Sequence, residues 1–307
     1  MKHVFIINPA AGSRDRTKEY VRAIEAACGS RGLEYQWKVS DAPGACTRLA
    51  REAAQTGEEV RLYACGGDGT LNEVTAGAVG FPNAAVTMYS GGSGNDFVKI
   101  FSEPGAFSDL ERLLDAEEAQ FDLIRCNEDY ALNICSVGLD ARVGTDVANY
   151  KRIPLLQGFW AYAASAVVNV IRGISEHYVV EIDGETVDAR QTMICACNGR
   201  YYGGGFMPVA EARMDDGVLN TLVVKKVNRR TFLKFVGPYA KGGYAQFPQY
   251  AHCSCPKVIR INSDKPDIVT CLDGECVTNS DVTIKMHDKK LNFFGPEGCS
   301  CNRTARA

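Results

Sequence analysis

Histidine is scarce in this sequence. Only His3, His177, His252 and His287 occur, and none forms H-E-x-x-H, so a zincin-type metalloenzyme is excluded. There is no G-x-x-x-x-G-K-[ST], so the chain is not a P-loop protein. Gly67-Asp68-Gly69 continues into Thr70-Leu71-Asn72, so G-x-G-x-x-G is not met and a hydride-transferring dehydrogenase is disfavoured. No G-x-S-x-G elbow appears either. An excess of one charge is also missing. The 34 Lys and Arg against 37 Asp and Glu leave a net charge of −3, without the basic face or tail of a general nucleic-acid binder. Thirteen cysteines are present but no C-x-x-C. The C-x-C pairs Cys195/Cys197, Cys253/Cys255 and Cys299/Cys301 do not have zinc spacing. Met1 to Ile7 lacks the long apolar run and small-residue cleavage site of a signal peptide. The expectation is therefore a cytoplasmic protein with reduced thiols. The uncharged stretch from Leu155 to Ile171 is 17 residues long, below the roughly 20 that a membrane span needs. It reads as a buried or interfacial helix, with Pro154 suited to its first turn.

The 307 residues allow two domains of ordinary size. Val4-Phe5-Ile6-Ile7 is a continuous apolar run, the pattern of a parallel strand buried on both faces. Tyr20, Val21, Ile24, Ala27 and Cys28 then recur at helical spacing, closed by Gly29. Further strands are predicted at 35–39, 60–64 and 84–89, and helices at 45–55 and 71–78. This alternation means βαβ units and a parallel sheet. After about Asp122 the pattern changes. Strand-like runs follow one another at 123–125, 130–137, 178–182, 191–198, 219–224, 257–262, 268–272 and 282–286. Helical stretches interrupt them near 155–172 and 229–243. This half reads as mainly antiparallel β, a sandwich or barrel.

Three turns carry the chemistry: Asn8-Pro9-Ala10-Ala11-Gly12, Gly66-Gly67-Asp68-Gly69-Thr70 and Gly91-Gly92-Ser93-Gly94-Asn95. Each follows a predicted strand. Parallel sheets hold ligands at the carboxyl ends of their strands, so three such turns predict one phosphate-lined crevice. Glycine lets backbone approach a phosphate, and the following helix offers free N–H groups and a positive dipole end. Asp68 is out of place there unless it serves a metal, a water or an attacking hydroxyl. The plain alternative is a helix cap.

Taken in order, these strings resemble the diacylglycerol kinase catalytic-domain family of bacterial lipid kinases, related to sphingosine kinases. The resemblance runs over nearly the whole chain. Asn8 to Gly12 is similar to its N-P-x-(A/S)-G opening, and Gly66 to Val74 to its central signature. Gly92-Ser93-Gly94-Asn95-Asp96-Phe97 is similar to its G-(T/S)-x-N-D-(F/L) segment. Asn198-Gly199, with Tyr202 to Gly205 and Pro208 to Ala210, resembles its second-domain block. Asp215-Asp216-Gly217 and Leu272-Asp273-Gly274-Glu275 resemble its D-G-x-L and D-G-E segments. The resemblance implies an N-terminal α/β domain like those of phosphofructokinases and NAD kinases, over residues 1–122. It implies a lipid-substrate β-sandwich over 123–289, and a return of residues from about 290 to 307 to the first domain.

It also implies transfer of the γ-phosphoryl group of ATP, with Mg²⁺, to a lipid hydroxyl, most readily that of diacylglycerol. Asn8, Pro9, Ala10, Ala11, Gly12, Ser40, Gly66, Gly67, Gly69, Thr70, Glu73 and Ser93 would then meet the nucleotide. Asp68 would order a metal–water network beside it, which Asn95 and Asp96 would extend. Asp216, with the carbonyls of Arg213 and Val218, would hold a structural Mg²⁺, whose preferred ligands are oxygens. Asp273, or Glu275 beside it, would be the general base. Read alone, Asp-Asp-Gly and Asp-Gly are simply strong turn signals. The aromatics Phe232, Phe235, Tyr239, Tyr244, Phe247 and Tyr250 line a lipid cleft or fill a core. Lys225-Lys226 and Arg229-Arg230 touch an anionic membrane or form a solvated face. A different alcohol as acceptor, a non-catalytic sensing role and dimerisation through the β domain all stay open.

Overall fold

The computed structural model describes residues 1–91, 95–151 and 159–297. Two units divide the chain. The first holds Met1–Asp122 and takes up the chain again from Asp288; the second holds Leu123–His287.

The first unit alternates β1 (Lys2–Ile7), α1 (Thr17–Ser30), β2 (Tyr35–Val39), α2 (Ala45–Ala54), β3 (Val60–Gly66), α3 (Asp68–Ala78) and β4 (Ala84–Ser90), then α4 (Leu110–Leu114) and β5 (Glu117–Phe121). Its sheet runs β2-β1-β3-β4, parallel throughout. The apolar runs of β1 and β3 are buried on both faces, as parallel strands under helices require. The sheet is completed by a strand from the far end of the chain, Leu291–Gly295 (β17, after the strands of the second unit). It lies parallel to β4 and antiparallel to β5. Glu117-Glu118-Ala119-Gln120 is exposed and shows no apolar alternation, so β5 is a strand only because β17 offers its backbone a partner. Helices α2 and α3 pack closely at Gly77, where a Cβ would sit 2.4 Å from the Thr47 carbonyl oxygen. His3 is buried within the sheet, with Nδ1 2.7 Å from the Tyr63 hydroxyl. Burial, with Arg61 and the N-terminus adding to it, lowers its pKa to about 4.

The second unit contains β6 (Ile124–Cys126), β7 (Asp129–Ala131), β8 (Ile134–Gly138), α5 (Leu139–Lys151), α6 (Phe159–Arg172), β9 (Glu176–Ile182), β10 (Glu185–Cys197), β11 (Asn220–Lys225), α7 (Arg229–Tyr239), β12 (Ala251–Ser254), β13 (Val258–Asn262), β14 (Ile268–Leu272), β15 (Glu275–Asn279) and β16 (Val282–Met286). One long antiparallel sheet runs β15-β14-β8-β10-β9-β13-β16-β6-β7, and β11 and β12 branch from β10. Alternate residues of β10 feed two cores. Ile194 and Ala196 join Val137, Val180 and Ile259. Met193 and Cys195 join Leu222, Phe232 and Phe235.

Several expectations are corrected. The helix expected at 71–78 starts at Asp68, because Gly67 leaves the strand in an extended conformation. The single strand expected at 130–137 is two, broken at Leu132-Asn133, whose amides turn toward a carboxylate described below. Helix α5 was not expected; Leu139–Lys151 has a weak apolar stripe. The helix expected near 229–243 ends at Tyr239, just after Pro238. Phe232, Phe235 and Tyr239 are core residues, and Tyr244, Phe247 and Tyr250 pack against them. Ser93, Pro154, Cys299 and Cys301 lie outside the described residues. The described cysteines are all free thiols.

Candidate functional site

The turns after β1, β3 and β4 leave neighbouring strands of the first sheet at the same, carboxyl, end. Side chains and backbone tie them together. Asn8 Oδ1 accepts the Ala10 N–H at 3.0 Å, which holds the turn through Pro9. The Ala11 N–H returns to the Asn8 carbonyl at 3.2 Å, and Gly12 follows at φ +83°, a conformation that favours glycine. Asn8 Nδ2 donates to Thr70 Oγ1 at 3.1 Å, joining the first turn to the second. Gly66 must lack a side chain, since a Cβ would lie 2.3 Å from Thr70 Oγ1. The Gly91 N–H donates to the Gly66 carbonyl at 3.3 Å, joining the second turn to the third.

Asp68 occupies the first position of α3. Its two carboxylate oxygens accept the backbone N–H groups of Asp96 and Phe97 at 2.8 and 3.0 Å. Burial raises its pKa, and those two amide bonds pull the other way. Asp68 is thus a clamp between the second and third turns. Gly69 follows it, and no side chain caps α3 from Gly67. The first N–H groups of a helix lack intrahelical partners, so this end suits an anion. Asn95 packs against Gly67, with Oδ1 3.2 Å from where a Cβ would be. Ser40 is buried at the end of β2, its N–H on the Ile7 carbonyl at 2.9 Å. Glu73 is turned aside. Its Oε2 accepts the Cys46 N–H at 3.0 Å and so caps α2, whose preceding Gly44 has no side chain to do it.

Two cations that sequence reasoning missed stand at these turns. Arg16 donates to the Gly91 carbonyl, lies 5.5 Å over the Tyr20 ring and pairs with Glu19 at 2.8 Å. Lys99 pairs with Asp96, three residues before it. The one signal for Arg16 was a basic residue just ahead of α1, close after Gly12.

The second unit carries a second constellation. Asp273 and Gly274 form the two-residue turn between β14 and β15, both at positive φ, +49° and +96°. The Asp273 carboxylate accepts the N–H groups of Leu132, Asn133 and Ile134 at 2.6, 3.0 and 2.8 Å. That segment in turn accepts the N–H groups of Asn198 and Gly199 on the Asn133 carbonyl, at 2.9 and 2.8 Å. Asn133 Nδ2 donates to the Tyr201 carbonyl. Its Oδ1 is buried without a partner among the described residues. Glu275 is exposed at the foot of the same turn. Beyond it lies a part-buried polar cluster. Asp140 Oδ2 accepts the Tyr202 hydroxyl at 3.0 Å, and the Tyr202 and Tyr239 hydroxyls are 2.6 Å apart. Burial raises the Asp140 pKa against these hydrogen bonds.

The Asp216 loop is exposed. Oδ1 of Asp216 accepts the Val218 N–H at 3.0 Å, and the Val218 carbonyl accepts Asn220 Nδ2 at 3.5 Å. The Arg213 side chain pairs with Asp215 at 3.3 Å, which leaves its carbonyl out of that contact. Among the described residues no three His, Cys, Asp or Glu side chains cluster as a metal site. One carboxylate with backbone carbonyls is still a hard-oxygen donor set, the kind that Mg²⁺ fills out with waters.

Residues 133–295 match the YegS C-terminal NAD kinase beta sandwich-like domain, and residues 2–126 match the diacylglycerol kinase catalytic domain. The chain belongs to the diacylglycerol kinase family. Its curated relatives include a Staphylococcus epidermidis protein provisionally named a lipid kinase, 27% identical over 278 residues, covering 90% of this chain and 89% of the relative. Among solved structures, a diacylglycerol kinase from Bacillus anthracis superposes with a TM-score of 0.67 at 17% identity, covering 97% of this chain and 98% of that one. An NAD kinase from Archaeoglobus fulgidus in complex with ATP superposes at 0.55 and 14% identity, covering 97% and 94%. At these identities the structural likeness establishes the fold: an α/β unit followed by an antiparallel β unit. Membership of a kinase family implies use of a nucleotide.

Proposed function

We propose that this protein is an ATP-dependent lipid kinase that passes the γ-phosphoryl group to a lipid hydroxyl, with diacylglycerol the first acceptor to test. One observation carries the reading. Three turns of phosphate-binding type are held edge to edge by the Asn8–Thr70 bond and by the Asp68 clamp on Asp96 and Phe97. The uncapped start of α3 and the glycines at 66, 67 and 69 suit the polyphosphate of ATP. The turn from Asn8 to Gly12, Ser40 and Thr70 would complete that contact, Ser93 remaining an assignment from the family resemblance alone, and Arg16 and Lys99 add positive charge nearby. Asp216, with the carbonyls of Arg213 and Val218, would hold Mg²⁺, whose contribution is charge neutralisation and rigidity. In the transfer the lipid oxygen bonds to the γ-phosphorus and the bond to the β,γ-bridging oxygen breaks. The hydroxyl proton goes to a carboxylate of the Asp273–Glu275 turn. Such a transfer needs positioning and charge stabilisation more than covalent help.

The test is transfer from γ-labelled ATP to diacylglycerol, ceramide and sphingosine in mixed micelles with Mg²⁺. Label on diacylglycerol supports the full reading. Label on another lipid retains the kinase and replaces the acceptor. Nucleotide binding with no labelled lipid removes the lipid kinase reading.

A further inference from the structure

While Val170 packs against the core around Phe232 and Phe235, the last turns of α6 bury polar side chains and expose apolar ones. Its polar residues face the protein: Ser165 Oγ donates to the Val143 carbonyl at 2.9 Å, and Asn169 Nδ2 donates to Asp146 at 2.9 Å. Both are buried. The apolar Val167 and Ile171, four residues apart on one face, are 59% and 66% exposed. Leu233 of α7 is 68% exposed. These are the three most exposed large hydrophobic side chains among the described residues. The two helices are stapled together. Arg229, at the start of α7, donates to the carbonyls of Val170 and Ile171 at 3.0 and 2.7 Å, satisfying the last turn of α6.

Cations flank Leu233. Arg230 and Lys234 are exposed; Arg230 shares a face of α7 with Leu233, three residues on, and Lys234 follows Leu233 directly. Asn228, Arg229, Arg230, Thr231 and Lys234 line a cavity of about 360 Å³ at the start of that helix. No Asp or Glu occurs between Asp216 and Asp264, while eight Lys and Arg fall in that stretch, in a chain of net charge −3. Among the described residues, no helix is long and apolar enough to cross a membrane.

We propose that the end of α6 and the start of α7 form a docking surface for an anionic phospholipid bilayer. Val167, Ile171 and Leu233 insert at the headgroup boundary, and Arg230 and Lys234 meet lipid phosphates. The proposal deepens the lipid kinase reading and rests on it, because an enzyme whose acceptor stays in a bilayer has to reach that surface. Aliphatic anchors ringed by cations are the composition of interfacial membrane contacts. Each Lys or Arg held near an anionic surface strengthens binding several-fold, and salt weakens that share.

The experiment is flotation of the full chain, without ATP, on vesicles of phosphatidylcholine alone and of phosphatidylcholine with 30% phosphatidylglycerol, at low and physiological salt. R230E/K234E and I171D/L233D are compared with the wild type and with R22E, an exposed charge reversal on α1. Thermal unfolding checks that each is folded. We expect wild-type binding to the anionic vesicles only, weakened by salt. Each double variant should bind at least about tenfold more weakly, and R22E like the wild type. Equal binding by folded double variants, or none by the wild type, overturns the proposal. Lipid phosphorylation by the wild type in detergent micelles is scored separately. Failure there with patch-dependent vesicle binding counts against the kinase reading; success there without vesicle binding counts against the docking surface.

Discussion

The Asp68 carboxylate accepts the backbone N–H of Asp96 at 2.8 Å, and so the acid inside the glycine-rich turn is first a brace between two loops. Phe97 donates to its other oxygen. In Asp68→Asn, one of those amides faces an NH2 group, at a cost of about 1–3 kcal/mol. Removing a buried charge offsets part of that cost. We expect a net stability change within about 1 kcal/mol, and a loss of phosphoryl transfer of at least about a hundredfold. Chemical denaturation beside the γ-label assay measures both. Full turnover with normal ATP affinity would remove Asp68 from the catalytic machinery. Because its folded pKa is raised above 3.8, its stabilising contribution is present below that value and is lost as pH rises through the folded pKa. Asn removes that slope.

Gly66→Ala places a methyl 2.3 Å from Thr70 Oγ1 and 2.8 Å from its Cβ. Thr70 is β-branched and sits in the first turn of α3, so it has little room to rotate. A loss of about 1–3 kcal/mol is expected, together with the Asn8–Thr70 bond. Calorimetry should then show ATP affinity lowered at least about tenfold.

Asp273 and Glu275 separate by structure. Asp273→Asn leaves the φ of +49° tolerable but sets an NH2 group against the amides of Leu132 to Ile134. A stability loss of about 1.5–3 kcal/mol is expected, since hydrogen bonds to a charged group are the strong ones. Glu275 is exposed, so Glu275→Gln should keep stability within about 0.5 kcal/mol. If it also abolishes transfer at saturating substrates, the proton acceptor is Glu275. If it keeps kcat, the role falls to Asp273.

His3 predicts an acid weakness in the first unit. Its pKa is about 4 in the folded protein, against the 6.5 of a solvated histidine, so the unfolded chain binds the proton more tightly. Stability is full above about 6.5 and falls as pH drops toward 4, by up to about 3 kcal/mol. Urea midpoints at pH 7.0, 5.5 and 4.5 test this. His3→Gln should be less stable at pH 7.0, having lost the ring beside Tyr63, but its stability should fall less across that range.

Tyr202→Phe removes the hydroxyl between Asp140 and Tyr239. Asp140 is then left with fewer donors in a part-buried site, for a loss of about 1–2 kcal/mol. The lost bond favoured the charged form, so the loss should grow as pH rises above 3.8 and the carboxyl ionises, in denaturation curves.

Local pattern was enough to read the parallel strands and their glycine turns. Val4 to Ile7 is continuously apolar because both faces are covered, and a strand followed by Gly-Gly-Asp-Gly-Thr cannot run straight on. The change from strand–helix alternation to strand after strand was legible in the same local pattern. Tertiary structure alone made β5 a strand, because its exposed polar residues follow a partner more than 160 residues away in sequence. It alone broke the strand at Leu132-Asn133, because those amides answer a carboxylate at position 273. It alone turned Glu73 into a cap for α2, gave Asp68 two amides to hold and set Val167 and Ile171 of α6 outward. Apolar periodicity is carried by neighbours in sequence. A buried carboxylate takes whichever donors the fold brings to it, and those donors are far away along the chain.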